Sequence, residues 1–362
     1  MRIAVVGDIH IGAGLPFASF FSSSYEARRA YQRARFRSLQ VLNQRTKEHF
    51  TIFLGDIFHH FAGGNIAVYL SSFHQIFGNR EAPSLIVAGN HDWSGQGFWG
   101  GMPLPEDVEV IIEPTYKTEP FYAIFLPYLP NEEESLSFLL DVPPAKKAYV
   151  FSHLSLWPDS PPLGVFDGVK WIRENRHRIP IEKIFWINGH IHIPSSFSPT
   201  EGIHIINLGA WLPSSFGDTV LDGGNLRISP TPRIAWVSSL DGIRAPEIEI
   251  VKEAQTFLLA TGKKEDIPHL LQHLDEGREI FFWLQEKEIE QEERKILEDR
   301  GIWLRIHLPL SGVKSRDDIQ PLKPSLSGAM IDLYKIFKDD PLVLDFVKRY
   351  TPRYLDLSEM EI

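Results

Sequence analysis

An α/β layered fold is what this chain predicts, from three observations. Short apolar runs at 3–6, 52–54, 85–88, 149–151 and 184–187 alternate with helix-like segments, the order of elements in layered α/β domains. Each run is continuous rather than alternating and is bounded by Gly or polar residues, as buried central strands are. Each is followed at once by a metal-ligating side chain, and ligands at the carboxyl ends of neighbouring strands converge on one crevice.

The remaining elements follow in order. Residues 25–48 read as a helix carrying Ala30, Ala34 and Leu39, and 65–77 as a second, with Ile66, Leu70, Phe73 and Phe77 at helical spacing. A weaker helix covers 167–175. Strands are expected at 203–207, 233–238 and 247–251, with Asp241-Gly242 turning the last two into a hairpin that completes the main sheet. Residues 1–252 form this first domain. A second, small α/β unit spans 253–312, with strands at 279–284 and 302–308 joined by a charged helix at 287–299 that aligns Ile289, Ile296 and Leu297. A crossover of that length suits parallel strands. Residues 313–326 hold Pro321 and Pro324 among polar residues and read as a linker. From 327 to 362 a helix pair is expected. Met330, Leu333, Ile336 and Phe337 mark the first. Asp340 and Pro341 start the second, whose stripe is Leu342, Phe346, Val347 and Tyr350.

Composition narrows the function. With 362 residues, 43% hydrophobic and 12% aromatic, the chain can build two packed domains. A charged fraction of 23% speaks against long disorder. No apolar stretch has the length of a membrane span, and the N-terminus opens straight into a strand, so no membrane and a cytoplasmic location are expected. The absence of cysteine excludes disulfides and thiolate chemistry. A net charge of −10 argues against coating nucleic acid by bulk charge. It leaves room for a nucleic-acid enzyme, because bound metals bring positive charge to the site.

The chemistry lies in five stretches: Gly7-Asp8-Ile9-His10, Gly55-Asp56-Ile57-Phe58-His59, Gly89-Asn90-His91-Asp92, Ser152-His153 and Gly189-His190-Ile191-His192. Any one alone is a common strand–loop junction, a helix-capping turn or a pair of surface histidines. All five in order point to two metal ions. Asp8, His10, Asp56 and His192 are assigned to one ion. Asp56, Asn90, His153 and His190 take the other, with Asp56 shared. Two divalent ions about 3.5–4 Å apart supply the nucleophile and the charge neutralisation that phosphoester cleavage needs. Oxygen and nitrogen donors without sulfur suit Mn²⁺, with Zn²⁺, Fe²⁺ or Mg²⁺ as alternatives. His91 points away from its neighbour Asn90, toward the phosphate, as a general acid or charge stabiliser. Asp92 is expected to orient that imidazole. His59 faces either the phosphate or solvent. Ser-His-Leu around His153 is the least distinctive stretch, and His204 is its substitute.

Further candidates are weaker. Arg29, Arg33 and Arg37 share a helical face, read as a solvated surface or a DNA phosphate track. Trp93, Phe98 and Trp99 in a Gly-rich loop either pack on the domain or stack an unpaired base.

The motif set resembles the calcineurin-like metallophosphoesterase superfamily, over residues 7–192. Within it, Asp8-Ile9-His10-Ile11-Gly12 and Gly55-Asp56-Ile57-Phe58-His59 resemble the SbcD type of DNA double-strand-break repair nuclease. Asn207-Leu208-Gly209-Ala210 and Ser215-Phe216-Gly217 are similar to its Asn-Pro-Gly-Ser and Ser-Phe-Gly segment, with Leu208 for Pro and Ala210 for Ser. The resemblance implies a two-sheet sandwich flanked by helices, a DNA-capping domain in the 253–312 unit, and an SbcC-type ABC ATPase docked on the C-terminal helices. It also implies a homodimer through the 65–77 helix, and manganese-dependent exo- or endonuclease activity. The alternative is a phosphoesterase of the same fold acting on small nucleotides or phosphoproteins.

Overall fold

The computed structural model describes residues 2–306 apart from 16–20, 22–23, 60–65, 79, 93–98, 100–103, 219, 222–225, 230, 239–241 and 286–288. The expected linker and C-terminal helices lie outside the described residues. So do Trp93 and Phe98.

Two six-stranded sheets face each other. In the first, β1 (Arg2–Val6), β2 (Thr51–Phe53), β3 (Ser84–Val87) and β4 (Val108–Ile111) run parallel. The antiparallel hairpin β13 (Arg233–Ser238) and β14 (Glu247–Ile250) extends the sheet beyond β1. The second has spatial order β5 (Thr115–Lys117), β6 (Ala123–Leu126), β7 (Ala145–Ser152), β8 (Ile181–Asn188), β10 (Ile203–Asn207) and β9 (Ser195–Thr200).

Alternation along each strand explains why the runs are continuous. Ile3, Val5, Ile52, Leu54, Leu85 and Val87 point between the sheets, against Phe125, Tyr149, Phe151, Phe185 and Ile187. Ala4, Val6, Phe53 and Ile86 point the other way, into a layer with α1 (Ser24–Thr46) and α2 (Ile66–Phe77). Both faces are buried, so the strands read as nearly unbroken apolar runs, with Thr51 and Ser84 as buried polar residues at the starts of β2 and β3. Each fully buried Ile, Leu or Phe contributes about 1.5–3 kcal/mol. The second sheet's outer face is covered by α3 (Glu132–Ser137) and α4 (Gly168–Asn175). The Asp167 carboxylate caps α4 by accepting from the Lys170 N–H at 2.9 Å.

A third, five-stranded sheet follows, in the order β11 (Val220–Leu221), β12 (Arg227–Ile228), β15 (Phe257–Gly262), β16 (Glu279–Leu284) and β17 (Ile302–Ile306). Its last three strands are parallel, with α5 (Ile267–Asp275) and α6 (Gln291–Asp299) as crossovers. Two of its strands thus precede residue 253, and the β15–α5 pair adds a crossover to the one expected. Within α6, Leu297 is buried but Ile296 is exposed, so the expected alignment of the two fails: successive helical residues diverge around the axis. The sheet lies on α1, where Tyr31 meets Phe257 and Phe281 edge-on at 5.0 and 5.3 Å. The β13–β14 pair is the hairpin expected, joined through residues 239–246. Phe73, Ile76 and Phe77 of α2 are buried in the first core. Among the described residues, no helix is long and apolar enough to cross a membrane.

Candidate metal centre

Every candidate ligand sits just beyond a strand: Asp8 and His10 after β1, Asp56 after β2, Asn90 after β3, His153 after β7, and His190 and His192 after β8. Three of them hold left-handed backbone, with φ of 44° at His10, 47° at Asp56 and 67° at His190. Such conformations cost a side-chain-bearing residue about 1–2 kcal/mol and concentrate where surroundings force them for function. Gly89 and Gly189 let the loops close. A Cβ at Gly89 would overlap the Asp56 backbone nitrogen and carboxylate, and one at Gly189 would overlap the Leu54 carbonyl.

Ligand atoms of Asp8, His10, Asp56 and His192 lie within 4.8 Å of one another. His10 Nε2 and His192 Nε2 face each other at 2.9 Å. Beside them, His153 Nε2 and His190 Nδ1 approach Asn90 Oδ1 at 2.9 and 3.1 Å. Asp56 joins the two sets, with Oδ2 3.9 Å from His10 Nε2 and Oδ1 3.4 Å from His153 Nε2. Backbone N–H groups hold the carboxylates in place, His190 N–H on Asp8 Oδ1 at 3.1 Å and His91 N–H on Asp56 Oδ1 at 2.9 Å. Asp8 Oδ2 and His10 Nδ1 are buried without a hydrogen bond. A buried carboxylate oxygen with no donor, beside two opposed imidazole nitrogens, fits a divalent cation.

The ionisable groups of the centre shift one another. Burial raises the Asp8 carboxyl to about 6. Burial also pushes Asp56 upward, yet His153, His10 and His91 around it hold it well below the usual carboxylate range. Against burial, Asp56 and Asp8 lift His153 to about 10, and Asp218, Asp8 and Asp56 lift His192 to about 9. Burial, with the charge of His153, takes His190 down to about 3.

The surrounding shell holds residues that sequence reasoning missed. Asp218 Oδ1 accepts from His192 Nδ1 at 2.9 Å, and its Oδ2 accepts from the Ser214 and Ser215 N–H groups at 2.8 and 3.0 Å. Asp218 directly follows the Ser215-Phe216-Gly217 segment, which was its only signal. Arg35, buried on α1, donates to the carbonyls of Ile9 and His10 and to the Tyr31 hydroxyl. Asn188 Oδ1 accepts from Ser152 Oγ at 2.5 Å and from the Leu154 N–H at 3.1 Å, while its Nδ2 donates to Asn207 Oδ1 at 2.8 Å. This network locks the ends of β7, β8 and β10, and with them His153 and His190.

His91 Nδ1 donates to the His59 carbonyl, which leaves Nε2 on the side of Asp56 Oδ2, 3.9 Å away. The His59 ring stacks on His91, centroids 5.3 Å apart, and stands edge-on to His10. Asp92 does not orient His91 as expected. Its carboxylate turns inward and accepts N–H groups of Ile57, Phe58 and Gly89 at 3.1–3.2 Å, bracing the loops that carry Asp56 and Asn90. Trp99 packs beside Phe58, rings 6.1 Å apart. Arg29, Arg33 and Arg37 are exposed on α1. His204 hydrogen-bonds to Ser196 and Ser198 on the outer edge of the second sheet, so it does not stand in for His153. A recess of about 310 Å³ opens onto the centre, lined by Asp56, Asn90, His91, His190, His192 and Trp157 among others.

Residues 1–194 match the model of the calcineurin-like phosphoesterase family. No curated protein matches the chain. Among solved structures it is similar to a 5′-nucleotidase precursor from Thermus thermophilus, at 14% identity over 70% of this chain and 55% of that one, with a TM-score of 0.35. It is also similar to the calcineurin-like phosphoesterase YfkN from Bacillus subtilis, at 12% identity over 75% and 96% of the two chains, with a TM-score of 0.35. The NAD nucleotidase NadN of Haemophilus influenzae shares 9% identity over 83% and 59%, with a TM-score of 0.28. The chain spans little more than half the length of the first of these.

Proposed function

The chain belongs to the calcineurin-like phosphoesterase family, and from that premise we propose that it is a metal-dependent DNA nuclease working at the Asp56 centre. The observation that carries the two-ion reading is the Asp56 carboxylate, one oxygen turned to His10 and the other to His153. Asp8, His10, Asp56 and His192 would hold one ion; Asp56, Asn90, His153 and His190 would hold the other. When bound, two divalent ions, Mn²⁺ by preference for these donors, activate water near neutral pH and neutralise phosphate charge.

The protein's own groups do the rest. With Nδ1 fixed on the His59 carbonyl, His91 presents Nε2 toward the centre and holds there the proton that the leaving oxygen takes. His59 extends the imidazole row toward the phosphate. Asp92 keeps Asp56 and Asn90 in register from behind.

DNA as substrate is supported by the motif order and by the α/β unit after residue 253, which resembles a DNA-capping domain in position. An SbcC-type ATPase on the segment from 327, and a homodimer through α2, belong to the same reading. A second reading, hydrolysis of small nucleotides, is favoured by the 310 Å³ recess, which is of small-ligand size. Purified protein with Mn²⁺ is to be offered labelled duplex DNA, single-stranded DNA and p-nitrophenyl phosphate in parallel. DNA cleavage with little monoester turnover is expected. Monoester turnover with intact DNA would replace the first reading by the second.

A further inference from the structure

Two recesses meet at the centre and share Asn90 and His190 as their common wall. The one of about 310 Å³ holds the centre itself, with Asp56, His91 and His192 in its wall, and is bounded further out by Trp157 and Ile193. The other, about 380 Å³, is bounded by Tyr128, Ser155, Val165 and Phe166 and does not reach His91. A phosphomonoester carries one organic arm on its phosphorus, whereas a nucleic-acid diester carries two, one on each side of the bond that breaks. A centre that lies in one recess and has a second recess beside it has room for both arms.

We propose that the two recesses seat two consecutive nucleosides of a nucleic-acid strand, an assignment that rests on the phosphodiesterase reading above. His91 assigns the arms. The proton must reach the leaving oxygen, so the leaving nucleoside lies in the recess that His91 lines, beside Trp157 and Ile193. The nucleoside that keeps the phosphate lies against Tyr128 and Phe166.

The walls favour bases over a further phosphate. Two aromatic rings and Val165 offer flat apolar contact in the second recess. Its acidic member, Glu132, accepts from the Ser155 N–H and hydroxyl at 2.6 and 2.8 Å and would repel an anion. Val165 is 38% exposed and Leu163, two residues before it, is fully exposed. Apolar side chains are therefore held in solvent on the segment joining His153 to α4, which supplies Val165 and Phe166 to this recess.

The test compares three esters with Mn²⁺: methyl p-nitrophenyl phosphate, and the p-nitrophenyl esters of thymidine 5′-phosphate and thymidine 3′-phosphate. All share one leaving group, and only the thymidine esters place a base on the retained side. Base–aromatic contact is worth roughly 5- to 150-fold. Wild-type kcat/KM should favour one thymidine ester over the methyl ester by a factor in that range, and the better ester reports the strand polarity. Phe166→Ala should erase most of the preference through KM. Tyr128→Leu, in the lining of the same recess, should lower it as well, which guards against a folding defect in either variant. With a thymidine dinucleotide, Trp157→Ala should raise KM. A wild type without preference, or variants that keep it, would overturn the assignment while leaving the phosphodiesterase intact. A protein inert on all three esters and on the dinucleotide would overturn the phosphodiesterase reading, and this inference with it.

Discussion

His192 donates from Nδ1 to Asp218 at 2.9 Å, and this bond joins the metal centre to the third sheet. Asp218 closes a loop in which Phe216 stands edge-on to Trp283 of β16, centroids 6.0 Å apart, and in which Pro213 accepts from the Tyr31 hydroxyl at 3.3 Å. The C-terminal sheet therefore helps fix the direction in which His192 presents Nε2.

Asp218→Ala should weaken the ion held by Asp8, His10, Asp56 and His192 by about 10–100-fold, the usual cost of removing a ligand's orienting partner. The Asn90 set should keep its affinity. Mn²⁺ titration by calorimetry resolves the two sites. Unchanged affinity at both would show that Asp218 does not position His192.

Metal affinity should depend on pH in one direction. In the metal-free centre His153 and His192 titrate at about 10 and about 9, so at pH 7 each carries a proton that an incoming ion displaces. Affinity should fall below pH 7, rise with pH, and level off as both imidazoles become neutral. Calorimetry near pH 7 in buffers of different ionisation heat should register release of about two protons as both ions bind. No dependence on the buffer would contradict these raised values.

His91→Ala should keep both ions and near-normal thermal stability, because Asn90 is the ligand. Its loss should fall on kcat for DNA, by roughly 10²–10⁴, where the leaving alkoxide needs a proton. It should be much smaller for bis-p-nitrophenyl phosphate, whose leaving group needs none. Equal losses on both substrates would make His91 a phosphate-positioning group, and lost metal would make it a ligand.

The central strands were legible because both faces of each are buried, which turns two-residue periodicity into an unbroken apolar run. The positions of the ligands followed from where those runs stop. Contacts made across the chain were not legible. Nothing local to Asp92 says that three backbone N–H groups will capture it and leave His91 to the His59 carbonyl. Asp218 folds back on His192 from a different loop, and β11 and β12 are too short to show a pattern of their own. Arg35 was within reach. It falls in helical phase with the buried Tyr31, Ala34 and Ser38, whereas Arg29, Arg33 and Arg37 fall on the exposed side.

The bridging role of Asp56 is the central claim, and the stoichiometry of metal binding in Asp56→Ala tests it most directly. Alanine keeps the left-handed backbone that Asp56 already holds at φ 47° and loses the bond from the His91 N–H, so the melting temperature of the variant before metal is added shows that it is folded. Wild-type protein should bind two Mn²⁺ per chain. The folded variant should bind neither at concentrations that saturate the wild type, since the carboxylate belongs to both donor sets. One ion retained at wild-type affinity would contradict the bridge.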